Sequence, residues 1–193
     1  MKIGIIGGGP AGLYFALLMK KQNPRHQIHL IEQNPAEATY GWGLVFAAPT
    51  LKFLADSDPD FYEDFMRDRE ELDTMHIVHR GAHAPVKGNV WARVSRIDML
   101  NTLHRHCMKV GVKLEFNSRV DDLDRLPGRD LIVVADGVGS TIRAKHEDWF
   151  EPTFARYRNK CAWYGTEHLI PALSLIFRQN EHGTFNRPLL PVQ

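Results

Sequence analysis

The most constraining stretch is the first: Lys2-Ile-Gly-Ile-Ile6, then Gly7-Gly-Gly-Pro-Ala-Gly12, then an apolar run to Met19. A short run with β-branched weight predicts a buried strand, and the glycines after it fit a strand-to-helix turn. Gly7, Gly9 and Gly12 stand at the G-x-G-x-x-G spacing. In that motif the first glycine makes the tight turn, the second lets backbone approach a pyrophosphate, and the third lets helix and strand pack closely. The following helix aims its N-terminal N–H groups and positive dipole end at the phosphates. Alone the motif matches many glycine-rich turns; here a strand precedes it and a helix follows. His29-Leu-Ile-Glu32 then supplies a second strand, and Glu32 lies 20 residues past Gly12, about where an acid meets a ribose hydroxyl.

The pattern from Ala11 to about Gln22 is helical and apolar on nearly every face, and Asn23-Pro24 ends it. Gln27–Glu32 is expected to lie parallel to the first strand, as a βαβ unit. Asn34 to Ala48 reads as a loop holding Tyr40-Gly-Trp-Gly43 and Leu44-Val-Phe46. Its glycines either let backbone lie along a flat ring system or make a surface turn around a half-buried tryptophan. Short helices are expected over Thr50–Ala55 and from Asp58-Pro59 onward. Thr74–Val94 alternates like two or three antiparallel strands. His76, His79 and His83 fall there, but strand neighbours face opposite sides and no cysteine or acid completes a ligand set, so they read as solvent-exposed strand histidines, with no metal.

Ser95 is placed to cap a helix from Arg96 to about Lys109, stopped by Gly111. Val112–Phe116 alternates as a strand, and Asp130–Ala135 reads as another buried parallel strand. That strand ends in Asp136-Gly137-Val-Gly139-Ser140-Thr-Ile-Arg143. An acid and two glycines at a strand's C-terminal end sit where open α/β sheets bind ligands. Asp136 could accept a ribose or ribityl hydroxyl and Arg143 could hold a strand end or a phosphate. The alternative is a capped strand–turn–helix with Arg143 in a local salt bridge. Further on, Cys161–Thr166 and Leu173–Arg178 resemble strands, whereas the prolines of Asn186–Gln193 make poor sheet material.

The 193 residues fit one domain, or one plus part of another, and 44% hydrophobic content is enough for a core. A net charge of +1 gives no reason to expect a nucleic-acid or anionic-membrane partner. The run Leu13–Met19 is too short to span a bilayer, and the glycine turn argues against a signal peptide. Cys107 and Cys161 read as reduced, buried thiols of a cytoplasmic protein.

Taken together, Gly7–Gly12, Glu32, Tyr40-Gly-Trp-Gly43, Asp136–Arg143 and Arg158-Asn-Lys-Cys-Ala-Trp-Tyr-Gly165 resemble the single-component FAD-dependent aromatic hydroxylases. Within that family they look most like the branch of violacein-pathway, salicylyl-CoA and aminobenzoyl-CoA hydroxylases. The resemblance implies an α/β fold: a Rossmann-like FAD-binding domain over residues 1–150, with a parallel central sheet and an antiparallel insertion at 74–94. An incomplete substrate-domain sheet would begin over 151–193. It also implies that Gly7, Gly9, Pro10, Ala11 and Gly12 face the FAD pyrophosphate. Glu32, with Gln33 beside it, would hold the adenosine ribose. Gly43, Leu44 and Val45 would lie along the isoalloxazine, Arg96 would contact FAD, and Val120 would frame the adenine. Asp136 and Gly137 would serve both FAD and NAD(P)H. In such enzymes NADH or NADPH reduces the flavin, and O₂ forms a C4a-hydroperoxide that oxygenates an aromatic ring. The cofactor carries that chemistry, so no catalytic side chain is expected.

Family members continue further and return to the FAD domain with a Gly-Asp segment, which no residues after Arg143 match. The chain therefore reads as an N-terminal portion whose expected partners are a small aromatic substrate (indole-type or aryl-CoA) and a second copy or complementing chain. Two other readings stay open: a non-catalytic flavin- or dinucleotide-binding module, and an NAD-dependent dehydrogenase, in which Asp136–Arg143 would have no role.

Overall fold

A computed structural model describes residues 1–67, 69, 71–162, 164–168, 170 and 172–189. In chain order the elements are β1 (Lys2–Ile6), α1 (Pro10–Gln22), β2 (Gln27–Ile31), β3 (Gly43–Ala47), α2 (Ala48–Ser57), α3 (Pro59–Met66), β4 (Glu71–His79) and β5 (Ala82–Ser95). They continue as α4 (Arg96–Lys109), β6 (Lys113–Glu115), β7 (Leu131–Val134), α5 (Thr141–Lys145), α6 (Glu147–Phe150), β8 (Ser174–Asn180) and β9 (Gly183–Leu189). The chain divides into two compact units: Met1–Ala38 with Met99–Ala162, and Thr39–Asp98 with Trp163–Gln193.

The first unit holds a parallel sheet in the order β6-β2-β1-β7. The chain builds outward from β1 through β2 to β6, then returns to the other side of β1 as β7. β1 is thus the point where strand order reverses, and ligands bind outside the carboxyl ends of strands at such a point. Ile3, Ile5, Leu13, Leu17, Leu30 and Cys107 have no or almost no exposed surface, because a parallel sheet hides its apolar side chains on both faces. Burial raises the Cys107 thiol to about 12, and its sulfur donates to the Leu13 carbonyl at 3.3 Å. Cys161, expected to be buried, is exposed, since the residues around it form no strand.

Two imidazoles make this unit sensitive to acid. His29 Nε2 lies 2.8 Å from Glu115 Oε2, and the Arg129 guanidinium lies 3.2 Å from His29 Nδ1. Guanidinium only donates, so Nδ1 is the acceptor and the neutral ring keeps its proton on Nε2, which donates to Glu115. His104 is buried with its ring edge-on to Phe116, centroids 5.1 Å apart. Burial lowers both pKa values. The unfolded chain therefore binds protons near pH 6.5 that the folded chain refuses until lower pH, and stability rises with pH across that window. Thermal unfolding is expected to shift down by several degrees from about pH 7 to pH 5.5. His104→Gln should flatten that slope; a midpoint constant over this range would contradict the account.

The second unit holds a five-stranded sheet in the order β3-β5-β4-β8-β9, antiparallel except where β4 runs beside β8. Phe61 and Phe65 are its most buried rings; Phe65 stacks on Phe61 at 5.6 Å and meets Phe46 edge-on at 5.4 Å. Asp58 caps α3 by accepting from the Phe61 N–H at 3.1 Å.

Several expectations change. Gly43–Ala47 is a strand rather than loop, in register with Trp91–Ser95. The expected cut at residue 150 separated two stretches that share one sheet, since His76–His79 pair with Ser174–Phe177. Pairing across about a hundred residues leaves no trace in local pattern. Cys161–Thr166 forms no strand among its described residues, and Trp163 lies outside them. Gly183–Leu189 is a strand despite Pro188, because β9 lies at the sheet edge, where a missing N–H is tolerated; Leu190–Gln193 lie outside the described residues. Pro85 is accommodated likewise, in the part of β5 that β3 does not flank. His79 and His83 are exposed as expected, whereas His76 is half-buried.

Candidate functional site

Ile6 and Val134 are paired neighbours at the carboxyl ends of β1 and β7, and the Ala135 N–H donates to the Ile6 carbonyl at 2.7 Å. The glycine turn and the aspartate–glycine corner are therefore side by side. Gly7 has φ +107, a conformation that side chains rarely adopt. A Cβ on it would lie 2.3 Å from the Ala135 carbonyl oxygen and 2.9 Å from the Asp136 nitrogen. A Cβ on Gly12 would lie 2.2 Å from the Gly7 oxygen and 3.4 Å from Ala135 Cβ. Both glycines are thus required by the protein's own backbone. Gly9 is different: nothing lies within 4 Å of a Cβ placed there.

That open side coincides with the start of α1. Gly9 is the N-cap, no side chain caps the helix, and no acid stands in its first turn. Pro10 has no N–H to offer, and the chain is partly exposed at Gly9 and Pro10 and exposed at Ala11. Uncapped helix N–H groups beside open space suit an anion such as phosphate.

Glu32, just past β2, reaches back under the turn. Its Oε2 accepts from the Gly8 N–H at 2.6 Å, and its Oε1 accepts from Asn34 N at 2.8 Å and Asn34 Nδ2 at 2.7 Å. A carboxylate offers about four acceptor positions; three are filled by protein, and the fourth, on Oε2, is left for one hydroxyl. Gln33 is exposed beside it. Gly8 was not singled out from sequence, yet a Cβ there would lie 2.8 Å from Glu32 Cβ. The triple glycine was its signal.

At the second corner, Asp136 is half-buried and its carboxylate has no partner among the described residues. Gly137 has φ +87. Buried Ser140 caps α5 by accepting from the Arg143 N–H at 3.0 Å. The Arg143 guanidinium donates to the carbonyls of Gly137 (3.3 Å) and Val138 (2.5 Å) and lies 5.3 Å from the Phe154 ring centroid. Arg143 thus braces the turn that presents Asp136, and no acid pairs with it among the described residues. The Val120 side chain is buried with Ile6, Ile31, Leu126 and Ile142 beneath this site, leaving its backbone as the part that can face a ligand.

The remaining expected residues belong to the second unit and are brought together there. Gly43, Leu44 and Val45 open β3, Gly43 pairs with Ser95, and the Arg96 N–H donates to the Trp42 carbonyl at 2.8 Å. Arg96 Nε is buried with no acceptor among the described residues.

This arrangement defines an open α/β unit with a parallel sheet and a glycine turn at the point where strand order reverses. The chain belongs to the lycopene cyclase protein family, whose model matches residues 3–147. It is 32% identical over its whole length to a salicyloyl-CoA 5-hydroxylase of a Streptomyces species, covering 37% of that protein. It is 31% identical over 96% of its length to protodeoxyviolaceinate monooxygenase of Chromobacterium violaceum, covering 50% of it. The resemblance to the aromatic hydroxylases holds, and the chain spans half or less of the length of these relatives. Among solved structures, 2-methyl-3-hydroxypyridine-5-carboxylic acid oxygenase shares the fold with a TM-score of 0.66 at 23% identity, over 74% of this chain and 41% of that one. CtdE, solved in complex with FAD, shares it with a TM-score of 0.59 at 18% identity, over 75% of this chain and 40% of that one. No helix among the described residues is long and apolar enough to cross a membrane.

Proposed function

We propose that this chain holds the FAD of an NAD(P)H-dependent monooxygenase acting on a small aromatic substrate. The observation that carries the reading is the meeting of the two corners at Gly7, Ala135 and Asp136, with open space at Gly9 and a carboxylate on either side. The α1 N-terminus would take the pyrophosphate. Glu32 would offer its remaining acceptor position to the adenosine ribose, and Asp136 its unpaired carboxylate to a further hydroxyl. Pro10, Ala11 and the Val120 backbone would line the nucleotide, and in the second unit Gly43–Val45 and Arg96 are assigned to the flavin ring. When bound, FAD supplies the redox and oxygen chemistry, with NADH or NADPH as transient reductant. The chain's own residues bind, orient and exclude water, so no acid–base triad is needed. The first unit is proposed as the FAD-binding domain and the five-stranded sheet as the beginning of a substrate domain. Holding the nucleotide is assigned to these residues; ring hydroxylation is proposed for a protein of the relatives' length. Two free cysteines fit a cytoplasmic location.

Titrating FAD with the purified chain and following the quenching of flavin fluorescence tests this reading. Asp136→Ala is expected to weaken binding at least about tenfold, the size of a lost hydrogen bond to a charged group. Saturable quenching that Asp136→Ala leaves unchanged would remove the corner from the site.

A further inference from the structure

Two motifs 123 residues apart in the chain, the Tyr40–Gly43 loop and the segment ending at Gly165, meet in the second unit. A Cβ added at Gly165 would lie 3.2 Å from Cε2, 3.3 Å from Cζ2 and 3.5 Å from Nε1 of the Trp42 indole. The glycine thus seats the indole where any side chain would crowd it. The backbone under the ring is fixed as well: the Trp42 carbonyl accepts from the Arg96 N–H, and Gly41 takes φ +86. Although held at both ends, Trp42 remains 54% exposed, and it makes no ring contact or indole N–H hydrogen bond among the described residues. Tyr40 and Tyr164, its near neighbours in the two segments, are 74% and 88% exposed. A pinned indole that is half open and stacks on no other ring among the described residues suits a flat partner, because aromatic rings attract one another in offset or edge-on stacks.

We propose that Trp42 is the aromatic wall against which a planar substrate ring lies, and so a specificity-determining residue that favours aromatic over saturated rings. This rests on the monooxygenase reading and deepens it. Gly165 and the Arg96 backbone act as positioning elements.

The probes are salicylate and cyclohexanecarboxylate, which share a charge and differ in planarity and in one ortho hydroxyl, whose contribution benzoate measures separately. Binding to the purified chain is followed by saturation-transfer NMR, with an FAD titration on every variant. Salicylate is expected to bind at least about fivefold more tightly than its saturated counterpart, since ring stacking is worth at least that factor. Trp42→Ala should abolish the preference, Trp42→Phe should retain it, and Gly165→Val should reduce it while Trp42 remains. Equal binding of the two acids, no binding of salicylate, or a preference that survives Trp42→Ala overturns the proposal. A Trp42→Ala chain that loses FAD and keeps its salicylate preference also overturns it, placing Trp42 on the nucleotide. If FAD fails to bind any form while the preference follows Trp42, the flavin reading falls and the aromatic wall stands.

Discussion

Alanine at Gly12 is expected to cost the chain about 3 kcal/mol or more of stability, whereas alanine at Gly9 should leave the fold intact and weaken nucleotide binding. At Gly12 the added Cβ meets the Gly7 carbonyl oxygen at 2.2 Å, and at Gly7 it meets that of Ala135 at 2.3 Å with φ at +107. In both cases the obstacle is backbone inside a parallel sheet and its helix, which cannot swing aside as a side chain does. Relief requires α1 to lift from β1, or β7 to part from β1, exposing residues that now have no contact with water. For a chain of this size each kcal/mol moves the unfolding midpoint by about 2–4 °C, so Gly12→Ala should fall by roughly 6–12 °C and Gly7→Ala by at least as much. Gly9 has φ −72 and open space where its Cβ would stand. Gly9→Ala should therefore change stability by less than about 1 kcal/mol, while a methyl group in the space assigned to the pyrophosphate lowers FAD affinity at least about tenfold. Thermal unfolding by circular dichroism and flavin fluorescence titration on the three variants separate the effects. A Gly12→Ala midpoint within a degree of the parent would show the turn to be looser than described, and parental FAD affinity in Gly9→Ala would move the pyrophosphate elsewhere.

The glycine motif is only partly legible in the sequence. The glycine spacing and the acid 20 residues on point to a candidate site at the end of β1, because both the turn and the strand that delivers Glu32 are local in sequence. The role of each glycine was less accessible: Gly7 answers to Ala135, about 130 residues away, which only the topology of β7 beside β1 brings close, and Gly12 answers to the Gly7 carbonyl, whose direction depends on how the turn closes. Arg143 is a similar case. Its spacing from Ser140 was legible as a capped helix, but its donation to the Gly137 and Val138 carbonyls depends on how the turn closes. The second unit was the least legible part. β3 begins at a glycine beside an exposed tryptophan, β9 contains a proline, and β4 pairs with β8 across the whole Met99–Ala162 segment of the first unit. Local alternation signals a strand; it does not say which strand lies next to it.

Glu32 is where fold and ligand binding compete for the same atoms, and its replacement should show both. The carboxylate takes three N–H donors, and that of Gly8 is buried. Glu32→Ala strands the Gly8 donor beneath the turn and frees Asn34, whose groups are half-buried and can turn to water. Hydrogen bonds to a charged partner are worth about 1.5–3 kcal/mol when buried, and water recovers part of that for Asn34. The expected net loss is therefore about 2–3 kcal/mol, or roughly 4–12 °C in the unfolding midpoint. FAD affinity should fall further than one lost ribose contact requires, because the turn presenting α1 loses its anchor: about a hundredfold rather than tenfold. Glu32→Gln separates the two contributions. Its carbonyl oxygen can still serve one set of donors, but its amide would face the other with an N–H of its own. It should recover part of the stability and little of the affinity. If instead Glu32→Gln bound FAD as the parent does, the free position on Oε2 would not be where the ribose is held, and the role of Glu32 would be confined to clamping the glycine turn.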